Sequence, residues 1–422
     1  MTKFPLNNAA QWVEAFGSPL YVYDAKTIRG QYFRMKQAFD PTIDVGIHYA
    51  CKALNNLTVL RLMRRLGAGL DAVSLGEIEL GLRAGFRPDQ ILYTPNGVGI
   101  YEIKEAVEIG VQINIDNLET LEEFANEFGS TVPVCVRINP HIMAGGNTKI
   151  SVGHIDSKFG ISIHQIRHLH RIVHNMGLHV HGLHMHTGSD ILDIDAFMRG
   201  ADLLMDLAHD FKELAYIDFG SGFKVGYRPG ETATDIESFG EKMSVRFKEF
   251  CLEYGRDLKL IFEPGKFLVS EAGIFIAKVN STKTTPSTVF AQVNSGFNHF
   301  PRPMMYDAYH HIENLSHPHG ELRLYTIVGY VCETDTFGYD RKLNEVRNGD
   351  LLAFHNAGAY CSSMGSQYNS RVRPAEVLLE GDQPYLIRKR ETINDLLRGT
   401  VEHGLYQDTL EPVREEAEIA VP

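Results

Sequence analysis

Short runs of apolar, β-branched and aromatic residues alternate with longer amphipathic stretches between about residue 45 and residue 265. The stretches between the runs, such as NLTVLRLMRRLG and LETLEEFANEFG, carry apolar residues at helical spacing and mostly end at glycine. Eight runs follow one another in an unbroken series: GIHYACK, LDAVS, ILYTP, QINID, VPVCVRIN, LHVHGLHMH, AYIDFG and LKLIFEP. Eight strand–helix units within about 250 residues predict a TIM-type (β/α)8 barrel, for which we set the limits 27–268.

An open, doubly wound parallel sheet is the competing architecture, because alternating strands and helices alone do not distinguish it from a closed barrel. The count of eight favours the barrel.

Beyond Gly265 the pattern changes to strand-like runs that are separated by Gly, Pro, Asn and Asp turn signals. These runs are GIFIAKVNSTKT, STVFAQVNSG, LRLYTIVGYVCE, DLLAFHNAGAY and AEVLLEGDQPYLIRKRE. The early run PLYVYD is also strand-like and precedes the barrel series, so it is available to pair with the C-terminal sheet. We therefore predict a mostly β domain, sandwich-like or barrel-like, that consists of residues 1–26 and 269–422.

Charge and composition narrow the possible partners. The formal net charge of −12 argues against nucleic acid, whose binding relies on clustered Lys and Arg. No apolar run is long enough to cross a bilayer and the N-terminus lacks a signal-peptide core, so we expect a cytoplasmic protein without a membrane partner. The five cysteines include no Cys-x-x-Cys pair and are interpreted as free thiols. The acidic residues 411–422 are typical of a loosely ordered tail.

Polar residues at the C-terminal ends of the predicted barrel strands are the candidates for chemistry, because active sites of such barrels lie at that end. Lys52 ends the first run, His186 the sixth and Glu263 the eighth. A Gly-Ser-Gly turn, residues 220–222, follows the seventh run, and Pro264 to Lys266 follow the eighth. Phosphate is most often bound by the last two loops of this fold, where backbone N–H groups approach the anion.

A phosphate site beside a strand-end lysine indicates pyridoxal phosphate, whose aldehyde forms a Schiff base with an amine. Glu263 would then keep the pyridine nitrogen protonated, and His186 would stack on the ring. Each residue also has a purely structural interpretation. Gly-x-Gly is more often only a tight turn, Lys52 and Glu263 suit salt bridges, and a single histidine is more often a core residue.

A metal site is the rival interpretation of the same histidines. His184 and His186 form a His-x-His pattern at a strand end, which suits zinc and the activation of water for hydrolysis. Metal-dependent hydrolases of this fold carry the pattern on the first strand and a metal-bridging lysine on a middle strand, whereas this chain has the reverse order. We therefore rank the metal site below pyridoxal phosphate and expect no metal.

As a set, several motifs resemble those of the fold-type III pyridoxal-phosphate decarboxylases over nearly the whole chain. They are HYACKA, GLDAVSLGEIELGLRAG, RINP with SKFGI, GLHMHTGS, FGSGF, EPGKFLVSEAG, RPMMYDAYH, VCETD and GAYCSSMGSQYNSRVRPAEV. The resemblance implies a barrel that binds the cofactor and a homodimer with active sites at its interface. It also implies decarboxylation of an amino acid, here meso-2,6-diaminopimelate, to give L-lysine and carbon dioxide. Decarboxylation of ornithine, arginine or lysine, and racemisation of an amino acid, stay open as alternatives.

Carried over residue by residue, the resemblance assigns the site. Lys52 is the Schiff-base lysine, His186 stacks on the ring, and Glu263 binds the pyridine nitrogen. Cys332 and Glu333 would come from the second subunit, where Cys332 donates a proton after carbon dioxide leaves; an ordinary buried thiol is the simpler interpretation of a cysteine in a β run. The remaining cofactor contacts would be made by Ser189, Ser221, Gly222, Gly265, Lys266 and Tyr368.

Substrate choice follows from charge. Diaminopimelate has an amino-acid group at each end, so its distal end needs an anion for the ammonium and a cation for the carboxylate. Glu333 and Arg302 would supply this pair, with Tyr306 beside them and with Lys266 and Tyr368 also lining the substrate site. A site for ornithine or arginine would have no use for Arg302.

Three positions depart from the family pattern. Lys266 replaces the usual arginine after EPG and loses its bidentate fork. Ser221 interrupts a turn that is usually all glycine, and the segment CETDTF, at residues 332–337, differs from the usual continuation of the Cys-Glu motif.

Overall fold

The computed structural model describes residues 4–142, 156–401 and 403. These residues contain two nine-stranded sheets, one of which closes into a barrel. The acidic segment 411–422 lies outside the described residues. A search of the described helices finds none that is long and apolar enough to cross a membrane.

Eight parallel strands form the closed barrel. They are β2 (Val45–Ala50), β3 (Gly69–Ala72), β4 (Ile91–Tyr93), β5 (Gln112–Ile115), β6 (Val134–Asn139), β8 (Val180–Met185), β9 (Tyr216–Asp218) and β10 (Lys259–Phe262). They match the eight predicted runs, while the short β7 (Ile161–Ser162) only extends the pairing of β6. The open-sheet alternative is wrong, because β10 pairs with β2 and β5 with β6, which closes the ring.

Helices surround the barrel. They are α2 (Ala25–Gln37), α3 (Leu57–Leu66), α4 (Leu75–Ala84), α5 (Ile100–Ile109), α6 (Leu118–Phe128), α7 (Ile166–Met176), α8 (Ile194–Ala208) and α9 (Ile236–Tyr254). Capping sets their ends: the Asn56 side chain accepts from the Thr58 N–H at the start of α3, and Gly67, with φ 93°, ends it. Strand β10 is followed only by the four-residue α10 (Lys266–Val269). Helix α2 contacts α3 and α9 and so fills the eighth place in the ring.

The second sheet joins the first strand of the chain to the strands after the barrel. Its members are β1 (Leu20–Asp24), β11 (Gly273–Thr284), β12 (Val289–Val293), β13 (Ile312–Asn314), β14 (Leu322–Val328), β15 (Thr336–Asn344), β16 (Leu351–Phe354), β17 (Ala375–Glu380) and β18 (Gln383–Arg388). β1 lies antiparallel to β11 and parallel to β17, so Tyr21 stands opposite both Phe275 and Glu376. The domain limits 27–268 and 1–26 with 269–422 stay a proposal, which this pairing supports.

Local differences from the sequence prediction lie at short or polar elements. Helices α1 (Ala9–Phe16), α11 (Arg302–Tyr306) and α12 (Ile393–Leu397) and strands β13 and β15 were not predicted. Strand β15 reads TFGYDRKLN, whose polar second half gives little β signal, and it is held by antiparallel pairing with β14. The run GIHYACK was predicted to be strand up to Lys52. The strand instead ends at Ala50, and Cys51–Ala53 form a 3₁₀ turn.

Candidate active site

A cavity of about 420 Å³ lies at the C-terminal ends of the barrel strands. This volume is typical of a site for a small molecule. The cavity is lined by eight of the predicted cofactor-binding residues, namely Lys52, His186, Ser189, Ser221, Gly222, Glu263, Gly265 and Lys266. The cavity therefore joins groups that the sequence places more than two hundred residues apart.

Lys52 projects into this cavity from the 3₁₀ turn that follows β2. Its Nζ lies 2.6 Å from Oδ2 of Asp71, the carboxylate of which is 1% exposed, whereas 43% of the lysine side chain is accessible. Burial opposes the charged form of Lys52, but Asp71, Tyr360 and Glu263 together outweigh it and raise the lysine pKa above its usual value. Neighbouring Cys51 is fully buried outside the cavity lining. The lysine amine is thus accessible from the cavity and has a buried carboxylate within hydrogen-bond distance.

His186 follows β8 at the cavity wall. Its Nδ1 accepts a hydrogen bond from the Ser221 N–H at 3.2 Å, which leaves Nε2 to carry the proton of the neutral ring. Burial, with the charges of Arg137 and Lys52, lowers the pKa of His186 to about 3. The imidazole is therefore neutral at physiological pH, as suits a ring that stacks on a flat aromatic group.

The Gly-Ser-Gly turn has no room for side chains at its glycines. Gly222 has φ 120°, and a Cβ there would lie 2.0 Å from the carbonyl oxygen of Gly188. A Cβ at Gly265 would lie 2.9 Å from the Cβ of Ala53. The backbone therefore carries no side chain at Gly222 and Gly265, so that an anion in the cavity can approach their N–H groups closely.

Glu263 follows β10 and is paired with His184 of β8. The distance between Glu263 Oε2 and His184 Nε2 is 3.0 Å, and the two side chains are 7% and 1% exposed. The other oxygen, Oε1, is buried without a hydrogen-bond partner. Burial opposes ionisation, but His184, through its charge and hydrogen bond, and the charge of Lys52 hold the pKa of Glu263 below its usual range. Glu263 thus presents a negative charge and a free acceptor.

A second cavity, of about 440 Å³, adjoins the first and shares Ser189, Lys266 and Tyr360 with it. It contains Arg302 and Tyr306, the two residues predicted to bind the distal end of a substrate. The guanidinium of Arg302 lies 5.9 Å from the Tyr306 ring centre. Within the described part of the chain, no carboxylate forms an ion pair with Arg302. This guanidinium is therefore available to a carboxylate ligand.

Lys266, which the sequence predicts to contact both the cofactor and the substrate, is ion-paired with Asp190. Burial lowers the pKa of Lys266, and the charge of Asp190 partly opposes that effect. Since Asp190 also lines the second cavity, the two charges at this boundary largely cancel.

Cys332, Glu333 and Tyr368 lie apart from both cavities. The Tyr368 hydroxyl donates to Glu333 Oε1 at 2.7 Å and lies 3.8 Å from the Cys332 sulfur. Cys332 is exposed and lies beyond the end of β14. Its interpretation as a buried thiol within a strand is therefore wrong. The role of Tyr368 at the phosphate stays a prediction, which the position of its side chain in the single chain does not support.

The sequence interpretation missed five residues of this region: Asp71, Asp190, Asp218, Tyr360 and Arg137. A usable signal existed for two of them, since Asp71 lies near the end of β3 and Asp218 ends β9, in runs that were identified. Strand ends are where barrel active sites lie. Tyr360 ends the predicted run DLLAFHNAGAY, but that run belongs to the second domain, to which the strand-end rule of barrels does not apply, and the observed strand β16 already ends at Phe354.

The residues present fit pyridoxal phosphate. The cavity holds an accessible lysine amine, a neutral imidazole and a bare glycine turn. Glu263 Oε1 and Asp71 Oδ1 are buried oxygens without a hydrogen-bond partner in the chain. A pyridinium N–H and a lysine-linked cofactor would satisfy such acceptors.

Residues 25–270 match the family model described as "Pyridoxal-dependent decarboxylase, pyridoxal binding domain". The chain belongs to this family, and its cofactor is pyridoxal 5′-phosphate. It is a lyase of the pyridoxal-dependent decarboxylase class.

Three similar proteins carry the name diaminopimelate decarboxylase. The chain is 40% identical to a diaminopimelate decarboxylase of Methanothermobacter thermautotrophicus over 93% of this chain and 94% of that protein. It is 36% identical to one of Vibrio cholerae, covering 92% and 93%. A crystal structure of diaminopimelate decarboxylase from Helicobacter pylori, complexed with L-lysine, superposes with a TM-score of 0.83 at 33% identity, covering 93% and 98%.

Proposed function

We propose that this enzyme removes carbon dioxide from meso-2,6-diaminopimelate and releases L-lysine, as a step of lysine biosynthesis. The observation that carries the substrate is Arg302, a half-buried guanidinium beside the cofactor cavity without a carboxylate partner among the described residues. A substrate with a second carboxylate at its distal end would neutralise it. Ornithine would leave this charge unpaired, which is costly in a partly buried site.

The residues of the chain have separate tasks in this proposal. Lys52 holds the cofactor, His186 supports the ring face, and Glu263 keeps a proton on the pyridine nitrogen. When bound, pyridoxal phosphate supplies an electron sink for the electron pair that remains on the α-carbon as carbon dioxide leaves. Cys332 then returns a proton to that carbon from the second subunit.

A homodimer is part of the proposal, because Cys332 and Glu333 are exposed and line neither cavity of their own chain. Across an isologous interface they would complete the site of the other subunit, with Glu333 as the partner of the distal ammonium. We place the enzyme in the cytoplasm, and five unpaired cysteines support a reducing compartment.

Chemical trapping tests the assignment of the cofactor. The purified protein should absorb visible light with bound pyridoxal phosphate, and borohydride should fix the cofactor on the peptide that contains Lys52. The matched variant Lys36→Met removes a lysine outside the cavity, and its Lys52 peptide should be labelled to the same extent as in the wild type. A protein that stays colourless with pyridoxal phosphate would contradict the proposal.

Two further measurements separate the alternatives. A racemase would exchange the α-proton of its substrate for deuterium without releasing gas. A metal hydrolase would lose activity on chelation, whereas the decarboxylase should keep its rate after removal of divalent metals.

A further inference from the structure

The pairing of Glu263 with His184 has a geometry that restricts the carboxylate. His184 lies near the end of β8, and its register partner on β9 is Asp218. One ring nitrogen of His184 and one carboxylate oxygen each of Asp218 and Glu263 lie within 4.8 Å of one another, and all three side chains are buried. The Glu263 N–H also donates to the Gly220 carbonyl at 2.8 Å. The backbone of Glu263 is therefore held by the turn after β9, and one of its carboxylate oxygens by β8.

The direction of the hydrogen bond between His184 and Glu263 follows from chemistry. An ionised carboxylate only accepts, so His184 Nε2 carries the proton and donates it toward Oε2. Oε1 remains without a partner. A glutamate without this anchor could rotate about its last side-chain torsion, which is a soft one.

Asp218 is the third member of the cluster and adds to the restriction. Its Oδ1 accepts the Gly220 N–H at 2.8 Å, so its carboxyl group is fixed by the same turn. Burial and the negative charge of Glu263 raise the pKa of Asp218 well above its usual value. These interactions favour the negative charge on Glu263 over Asp218.

We propose that His184 is a positioning residue, which holds Oε2 of Glu263 so that Oε1 meets the pyridine nitrogen of the cofactor. This inference rests on the proposed function and deepens it. His184 would act on the cofactor nitrogen through its hydrogen bond to Glu263 Oε2. The histidine that could be taken for a zinc ligand is thus part of the cofactor site.

Cofactor binding measures this role without relying on turnover. The probes are pyridoxal phosphate and 1-deazapyridoxal phosphate, which lacks the pyridine nitrogen. The dissociation constants of both are measured on apoprotein of the wild type, His184→Met and His184→Gln. His179→Gln is the matched control, since His179 precedes the same strand and pairs with a carboxylate, Glu213 at 3.5 Å, on the surface.

The wild type should prefer pyridoxal phosphate over its deaza analogue, and His184→Met should lose about tenfold of this preference, or about 1.4 kcal/mol. His184→Gln keeps an N–H donor of similar reach and should retain most of the preference. In holoenzyme, kcat should fall in His184→Met with little change in KM, and His184→Gln should recover it. His179→Gln should behave as the wild type in both measurements.

An unchanged preference in a folded His184→Met protein would overturn the inference, as would an equal loss in His184→Gln and His184→Met. If His184→Met does not fold, His184→Gln alone decides: retention of the preference for pyridoxal phosphate supports the inference, and its loss overturns it. Failure of the wild type to bind pyridoxal phosphate would instead reject the proposed function. The two failures are therefore distinguishable.

Discussion

At the scale of single residues, the site depends on pairs of opposite charge in which one partner is buried. Lys52 with Asp71 and Lys266 with Asp190 follow this rule. The sequence identified both lysines but neither aspartate. Motif position marks a lysine at a strand end, whereas its partner is set by the packing of two different strands or loops. The sequence therefore did not show which aspartate pairs with which lysine, although the position of Asp71 near the end of β3 marked it as a candidate site residue.

The ion pair of Asp190 and Lys266 leads to a prediction about stability. Asp190→Asn leaves the Lys266 ammonium, on a side chain that is only 9% exposed, without its counter-charge. The substitution should lower the free energy of unfolding by about 1–3 kcal/mol. A bound carboxylate would replace the lost partner. L-lysine should therefore raise the melting temperature of Asp190→Asn holoenzyme more than that of the wild type.

The double variant Asp190→Asn with Lys266→Met is the control, because it removes the unpaired cation as well. It should lose the additional stabilisation by L-lysine. Equal shifts of melting temperature in the wild type and in Asp190→Asn would show that Lys266 does not face the bound carboxylate.

At the scale of elements, the barrel strands were predicted well because each is a short, largely buried run between helical stretches. It failed at β15, where pairing with β14 overrides a polar sequence, and at the end of β2, where the chain turns two residues before Lys52. The glycine turn was found from sequence. The reason for its glycines, a contact with the carbonyl of Gly188, is visible only in three dimensions.

The glycine turn gives a second prediction. In Gly222→Ala the new methyl group would overlap the Gly188 carbonyl and strain a φ of 120°, at a cost of roughly 1–3 kcal/mol. The turn would shift, and affinity for pyridoxal phosphate should fall more than affinity for pyridoxal, which has no phosphate.

The control for the glycine turn is Gly230→Ala. Gly230 also has a positive φ, of 76°, but nothing lies within 4 Å of its added Cβ. Its cofactor affinity should match the wild type. A Gly222→Ala protein that loses equal affinity for both compounds would argue against phosphate binding at this turn.

At the scale of the whole molecule, the sequence resemblance implied a site built from two subunits, and the single chain is consistent with an incomplete one. Cys332 and Glu333 contact Tyr368 on the surface and not the cavities. In the proposed dimer, shape complementarity would set which surface of the second copy they meet, and no periodic pattern in the chain encodes it.

Mixing two inactive variants tests the shared site. Lys52→Ala and Cys332→Ala should each have little activity, while an equal mixture that exchanges subunits should regain about a quarter of wild-type activity, because half of the dimers hold one intact site. The control is a mixture of Lys52→Ala with Lys52→Ala/Cys332→Ala, which has no intact site. Subunit exchange without recovery would show that both residues act within one chain.

The central claim concerns the reaction and its substrate together. Carbon dioxide release should be measured from the pyridoxal-phosphate-loaded protein with meso-2,6-diaminopimelate, ornithine, arginine and lysine at equal concentrations. We expect rapid release from diaminopimelate, with L-lysine formed in equal amount, and at least about a hundredfold lower kcat/KM for the others, as the loss of a charged hydrogen-bond pair implies. Arg302→Met should remove most of this preference. Equal or faster release from ornithine or arginine, or no release from any of the four, would contradict the account.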